Sequence, residues 1–164
     1  MSGAAKILAL AVLMAGVGSQ AACTPEDKGV WLKRADKSLD PAIADAKATL
    51  PVFWRHLDGD PLITDPAVKV AFPTQHGGTE YLWIFVDSHS GEAFRGRVGN
   101  EPEDVPSVRA EQPYTGKISE ITDWSYAKND KQYGQYTTRI LVKQGGFKDE
   151  ARYLAPTPLE PGDR

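Results

Sequence analysis

The apolar residues of this chain change period once, at Asp58-Gly59-Asp60-Pro61, and that change restricts the folds open to it. Before the break, Ile43, Ala46, Leu50, Phe53 or Trp54, and Leu57 recur at steps of three and four, the stripe of an amphipathic helix. Ser38 or Asp40 stands where a helix cap is needed, Pro41 falls in the first turn, and Lys47 and Arg55 lie off the stripe toward water. Pro51 lacks the N–H an internal turn requires, so a kink or split is expected there.

After the break the period is two. Val68, Val70 and Phe72 alternate with Lys69 and Ala71, and Phe94, Gly96 and Val98 with Arg95 and Arg97. Between them, Tyr81-Leu82-Trp83-Ile84-Phe85-Val86 is apolar on both parities, as in a central strand covered on both faces. Gly77-Gly78, Ser88-His89-Ser90-Gly91 and Asn129 to Gly134 read as turns, and the proline-rich Gly99 to Pro113 as a surface loop. Tyr114 to Ile118 and Ile121 to Tyr126 are two further strands. Tyr136, Thr138, Ile140 and Val142 alternate as a last strand, with a short helix as the alternative. The expected fold is α+β: an N-terminal helix, kinked at Pro51, packed on a five- to six-stranded antiparallel sheet.

A length of 164 residues, 41% of them hydrophobic and 25% charged, fits one ordinary globular domain. A net charge of −3 supplies no global basic field, so nucleic acid is not an expected partner. The single cysteine can form neither an internal disulfide nor a thiolate zinc site. Its position is informative. Lys6 precedes an apolar run from Ile7 to Ala15, and small residues lead from there to Cys23, the layout of a signal peptide over residues 1–22. Ser19-Gln20-Ala21 suits ordinary cleavage after Ala21. Ala21-Ala22-Cys23 is similar to a bacterial lipobox, although Gln20 departs from its usual apolar residue. Acylation of Cys23 is the favoured outcome, because a lone thiol in an oxidising compartment otherwise lacks a purpose. The expected location is the periplasmic side of the envelope, with the membrane as partner through a lipid anchor on Cys23. Residues 23–37 then form a tether, 38–146 the folded domain and 147–164 a loose tail rich in proline.

Nucleophile elbows, phosphate-binding loops, dinucleotide fingerprints and zinc-ligand spacings do not occur in the chain. His76 and His89 stand in turns at opposite ends of one strand, about 30 Å apart if it is extended, too far to share a metal. Neither a metal nor a cofactor is expected. His56 in the last helical turn complements the helix dipole. Asp123, next to Trp124, and Arg139, inside an apolar stretch, suggest either a structural ion pair or a pocket in which Arg139 reads a carboxylate. Trp124, Tyr126, Tyr133 and Tyr136 surround one hairpin and form an aromatic recognition surface if they point outward. The candidate binding residues are therefore Asp123, Trp124, Tyr126, Tyr136, Arg139 and Glu80.

Five stretches resemble, in order, a bacterial family of unknown function, the YegJ-like proteins. They are Ala48-Thr49-Leu50-Pro51-Val52-Phe53-Trp54, Gly77-Gly78-Thr79-Glu80-Tyr81-Leu82-Trp83, Phe94-Arg95-Gly96 to Asn100-Glu101-Pro102, Ile121-Thr122-Asp123-Trp124-Ser125-Tyr126, and Gly134-Gln135-Tyr136-Thr137-Thr138-Arg139. The resemblance implies a compact α+β domain, often in exported proteins, and marks Glu80, Asn100, Asp123 and Arg139 for roles in the fold or in a site. It carries no activity, cofactor or catalytic residue.

The favoured function is a non-enzymatic binding module of the envelope with a protein partner. The alternatives are an immunity-type inhibitor of a periplasmic toxin, which an acidic surface would suit, and a hydrolase with Asp123 or Glu80 as base and Arg139 as stabiliser. The hydrolase requires those side chains to converge on one cavity.

Overall fold

The computed structural model describes residues 31–32, 37–145 and 149–159. Seven strands form one antiparallel sheet: β1 (Trp31–Leu32), β2 (Thr64–Pro73), β3 (Thr79–Ser90), β4 (Ala93–Val98), β5 (Pro113–Lys117), β6 (Ile121–Lys128) and β7 (Lys131–Gly134). Helix α1 (Asp40–Gly59) precedes β2 and helix α2 (Tyr136–Lys143) follows β7. Six strands run in the order β5-β4-β3-β2-β6-β7, and β1 pairs with the start of β3. The expected α+β architecture is the observed one. The signal segment, Cys23 and most of the tether lie outside the described residues.

Register divides the sheet into two chemically different faces. Val68 pairs with Ile84 and Trp124, and Ile84 with Val98, so these apolar side chains share one face. Ala42, Ala46, Leu50 and Phe53 of α1 join them in a single core. Burying each of the larger side chains contributes about 1.5–3 kcal/mol. The Trp124 indole N–H donates to the Ala46 carbonyl at 3.2 Å and to Thr49 Oγ1 at 3.1 Å, which fixes α1 over β6. On the opposite face, Lys69 pairs with Trp83 and Asp123.

α1 begins differently from the sequence expectation. Leu39 occupies the cap position without a side-chain cap, Pro41 lies in the first turn, and the Ile43 amide bonds to the Leu39 carbonyl. Pro51 does not split the helix, which runs unbroken to Gly59. Pro51 and Lys47 are both exposed, so the carbonyl that loses its donor lies on the wet side of the helix, where water can serve it.

Both ends of the sheet are closed to further strands. Register places the outward backbone groups of β5 at Pro113, Thr115 and Lys117. Pro113 has no N–H and the Lys117 amide donates to Glu120 Oε2 at 3.0 Å, which leaves Thr115 as the remaining donor. At the other end, Gln132 and Gly134 of β7 donate to the Tyr153 and Pro158 carbonyls, and Ala155 donates back to Gln132.

Three sequence expectations are corrected here. The turn after β6 is confined to Asn129-Asp130, both with positive φ, as a two-residue hairpin requires, and Lys131–Gly134 is a strand. Residues 136–143 form α2 rather than a strand, although Tyr136, Thr138, Ile140 and Val142 alternate. Gln135 turns the chain through φ 53°, and the outer edge of β7 is already taken by the C-terminal segment. That segment is not a loose tail over 149–159. Ala155 and Leu159 are buried, and Leu154 bridges to Gln132.

Candidate functional site

Asp123 is fully buried on β6, opposite Lys69. Its carboxylate accepts four hydrogen bonds: Oδ1 from the amides of Trp124 (2.8 Å) and Tyr136 (3.0 Å), Oδ2 from the Thr137 amide (2.8 Å) and hydroxyl (2.6 Å). The amides of Tyr136 and Thr137 open α2, so Asp123 caps that helix from a neighbouring strand. The Thr137 hydroxyl in turn accepts from Lys69 Nζ at 2.9 Å, which links the buried cation to the buried anion through one hydroxyl. Lys69 Nζ also lies 4.3 Å from the Trp83 ring centre.

Glu80 holds backbone in a similar way. It is fully buried, and its two oxygens accept the amides of Glu103 (2.8 Å) and Asp104 (2.9 Å), tying the loop between β4 and β5 to β3. Asn100 adds a second tie, its Oδ1 accepting the Trp83 amide at 3.0 Å. Asp104 carries the chain of contacts onward, because His76 Nδ1 lies 2.6 Å from its Oδ1. Burial works against the ionised form of Asp104, but donors from Gln75, His76 and Thr74 outweigh it and hold the carboxyl below its usual range. The imidazole of His76 is mostly in water, held at this carboxylate.

Arg139 does not meet Asp123 in an ion pair. Its guanidinium donates to the carbonyls of Gly134 (2.8 Å), Ala155 (2.9 Å), Gln132 (3.5 Å) and Thr157 (3.4 Å), joining β7 to the C-terminal segment. Burial pushes its pKa down, with Tyr136 and Asp123 opposing the shift. The recognition hairpin is likewise corrected: Trp124 and Tyr126 are fully buried and Tyr136 nearly so. Trp124 stacks on Tyr126 at 5.7 Å, Tyr126 on Tyr133 at 5.3 Å, and Tyr136 meets the edge of Trp124 at 5.7 Å. These rings form the core between β6 and α1. Glu80 shares the core face with Leu82, whereas Asp123 lies on the other face with Lys69, so the two carboxylates do not converge, and Arg139 is held by carbonyls.

The remaining histidines support the far end of α1. His56 bonds to Asp60 at 3.2 Å, and Lys128 Nζ reaches the same carboxylate at 3.0 Å. His89 bonds to Asp58 at 2.9 Å and stacks on Trp54 at 4.4 Å. Among the described residues, no three His, Cys, Asp or Glu side chains gather as a metal site, and no helix is long and apolar enough to cross a membrane.

Among the described residues, the second face of β3 is less covered than its core face. Tyr81, Trp83 and Phe85 follow one another on that face and are only half-buried, while Leu82, Ile84 and Val86 point into the core. Arg97 pairs with Phe85 in register, and Arg95 and Lys117 continue the same face outward, both exposed. Arg97 is engaged by Glu111 at 2.5 Å and lies 3.9 Å from Asp87. This row is hidden in the sequence because a run apolar on both parities reads as covered on both sides. The available signal was that its odd positions are all aromatic.

A half-wrapped α+β domain, with its charged interior spent on holding backbone, is the class these observations define. The chain belongs to a family of uncharacterized proteins conserved in bacteria, DUF2314, whose sequence profile matches residues 36–159. It is 39% identical over 76 residues to the uncharacterized protein YegJ of Escherichia coli K12, covering 46% of this chain and 49% of that one. It is also 25% identical over 142 residues to a "putative ankyrin repeat protein" of Neisseria meningitidis serogroup B, covering 81% of this chain and 56% of that one. The chain thus spans about half the length of the curated relatives it matches. No solved structure matches it. The YegJ-like resemblance is borne out, and the family match extends through the C-terminal segment that packs on β7.

Proposed function

We propose that this protein is an exported, lipid-anchored module of the bacterial envelope that binds a partner without chemistry of its own. Cys23 carries the anchor, behind a signal segment over residues 1–22. The observation that supports a binding role is the division of labour in the sheet. Glu80, Asp123 and Arg139 are consumed in backbone hydrogen bonds, and the half-exposed Tyr81, Trp83 and Phe85 occupy the face opposite α1. Rows of aromatic side chains give contact area at low entropy cost.

The test is metabolic labelling with a fatty acid followed by envelope fractionation. The wild-type chain should take up label and sediment with membranes, and Cys23→Ser should lose the label and become soluble. An unlabelled wild type, or a labelled Cys23→Ser variant, overturns the anchor.

A further inference from the structure

We propose that β1 is a displaceable strand, and that the β3 edge it covers receives an extended peptide of a protein partner, apolar at its centre and basic at its flanks. This deepens the binding-module reading and rests on it.

β3 runs past the end of the strand beside it. Its pairing with β4 stops at Ile84, opposite Val98. One step further, the Gly99 amide donates to the Trp83 carbonyl at 2.7 Å and the Trp83 amide donates to Asn100 Oδ1 at 3.0 Å. Trp83 thus turns its backbone groups toward the β4 side, and by the strand period Tyr81 and Thr79 do the same. β1 meets this stretch with two residues, Trp31 opposite Glu80 and Leu32 opposite Thr79. The other ladders of the sheet carry four or more pairs. Two residues of ladder return little more than the conformational freedom lost in ordering them, so β1 is the first strand to open. It also precedes the family-matched residues 36–159, as an addition to the shared domain.

The covered edge is rigid and has a charge of its own. Glu80 is fully buried and holds the amides of Glu103 and Asp104, so an incoming peptide meets preformed backbone groups. The loop that bounds this edge is acidic: Glu101 follows Asn100, and Glu103 stands at Glu80, both exposed. β1 complements that loop in sequence, because Trp31-Leu32 is flanked by Lys28, Lys33 and Arg34. β1 is therefore the template for the segment that replaces it. The two outer edges of the sheet are closed, which leaves this inner edge as the place for strand addition.

The experiment titrates the purified full chain in detergent with a blocked synthetic peptide of residues 28–34, following backbone amide exchange and heat. In the chain alone, the amides of Thr79 and Tyr81 should exchange at least about a hundredfold faster than those of Val70 and Leu82. Leu32→Pro removes the donor opposite Thr79; it should keep the wild-type unfolding midpoint and bind the peptide about tenfold more tightly. Replacing the three basic residues of the peptide by Gln should weaken binding about tenfold. Slow exchange at Thr79 and Tyr81, equal affinity of the two chains, or a lowered midpoint in Leu32→Pro overturns displacement. Equal binding of the Gln peptide overturns the basic partner, and a dimer joined through β1 of a second copy replaces that partner with the chain itself. Protection of Trp83 by envelopes while Thr79 and Tyr81 still exchange overturns this edge as the site and leaves the module reading standing.

Discussion

Asp123 caps α2 across a strand boundary: its Oδ2 accepts both the amide and the hydroxyl of Thr137, fourteen positions later, at 2.8 and 2.6 Å. Helix caps are usually local, supplied by the residue just before the first turn. Here Gln135 occupies that position with left-handed backbone and no side-chain cap, and β6 supplies the acceptor instead. Asp123→Ala removes the acceptor of four hydrogen bonds, one of them from the Thr137 hydroxyl to which Lys69 Nζ donates. The expected loss is about 3 kcal/mol. Urea unfolding measures it, and a loss below about 1 kcal/mol contradicts the assignment.

Glu80 anchors a different region, so its loss should read out elsewhere. Glu80→Ala should cost about 2–3 kcal/mol and accelerate amide exchange from Glu101 to Ala110, with the amides of α2 unchanged. Faster exchange in α2 alone would show that the carboxylate does not hold the loop.

Gly134 lies under Trp124 with φ 71°, and a Cβ there would stand 2.2 Å from the Trp124 carbonyl oxygen and 2.4 Å from its ring. Backbone on one side leaves little room for relaxation. Gly134→Ala should therefore destabilise by about 2–4 kcal/mol, through both conformation and overlap. A midpoint equal to that of wild type contradicts the close approach of β7 to β6.

Asp60 makes stability depend on pH at the acid end. The Leu62 amide, together with Lys128 and His56, lowers its pKa from 3.8 to about 2. A carboxyl depressed in the folded state stabilises fully above its unfolded value and loses that contribution as pH falls through the folded one. The window is therefore about pH 4 to pH 2. Asp60→Asn should flatten the fall in the urea midpoint across that window and leave the remainder of the profile, where Asp104 acts in the same direction, sloping as before. An unchanged slope in the variant contradicts the role of Asp60.

Much of the fold could be read directly because its signals are local and periodic. The stripe from Ala46 to Leu57 and the alternation at Val98 follow from the two side-chain periods and are kept, whereas Ala42 rather than Ile43 enters the core and both parities are buried around Val68, Lys69 included. The aromatic hairpin misled because period reports which residues share a face and not which face is covered. Trp124 and Tyr126 sit on consecutive same-face positions, and only the placement of α1 decides that this face is the core. Residues 136–143 misled because their alternation is compatible with a strand, and the deciding acceptor, Asp123, is distant in sequence. Arg139 and the C-terminal segment were illegible for a related reason: an arginine that binds four carbonyls leaves no sequence pattern.

The claim that Trp83 faces the partner while Trp124 serves the core is tested most directly by hydroxyl-radical footprinting of the purified chain, alone and after incubation with bacterial envelopes. Trp83 should be oxidised in the isolated chain and protected by the envelopes, and Trp124 should be unreactive in both states. Equal oxidation of Trp83 with and without envelopes, or protection that appears at Trp124 instead, contradicts the account.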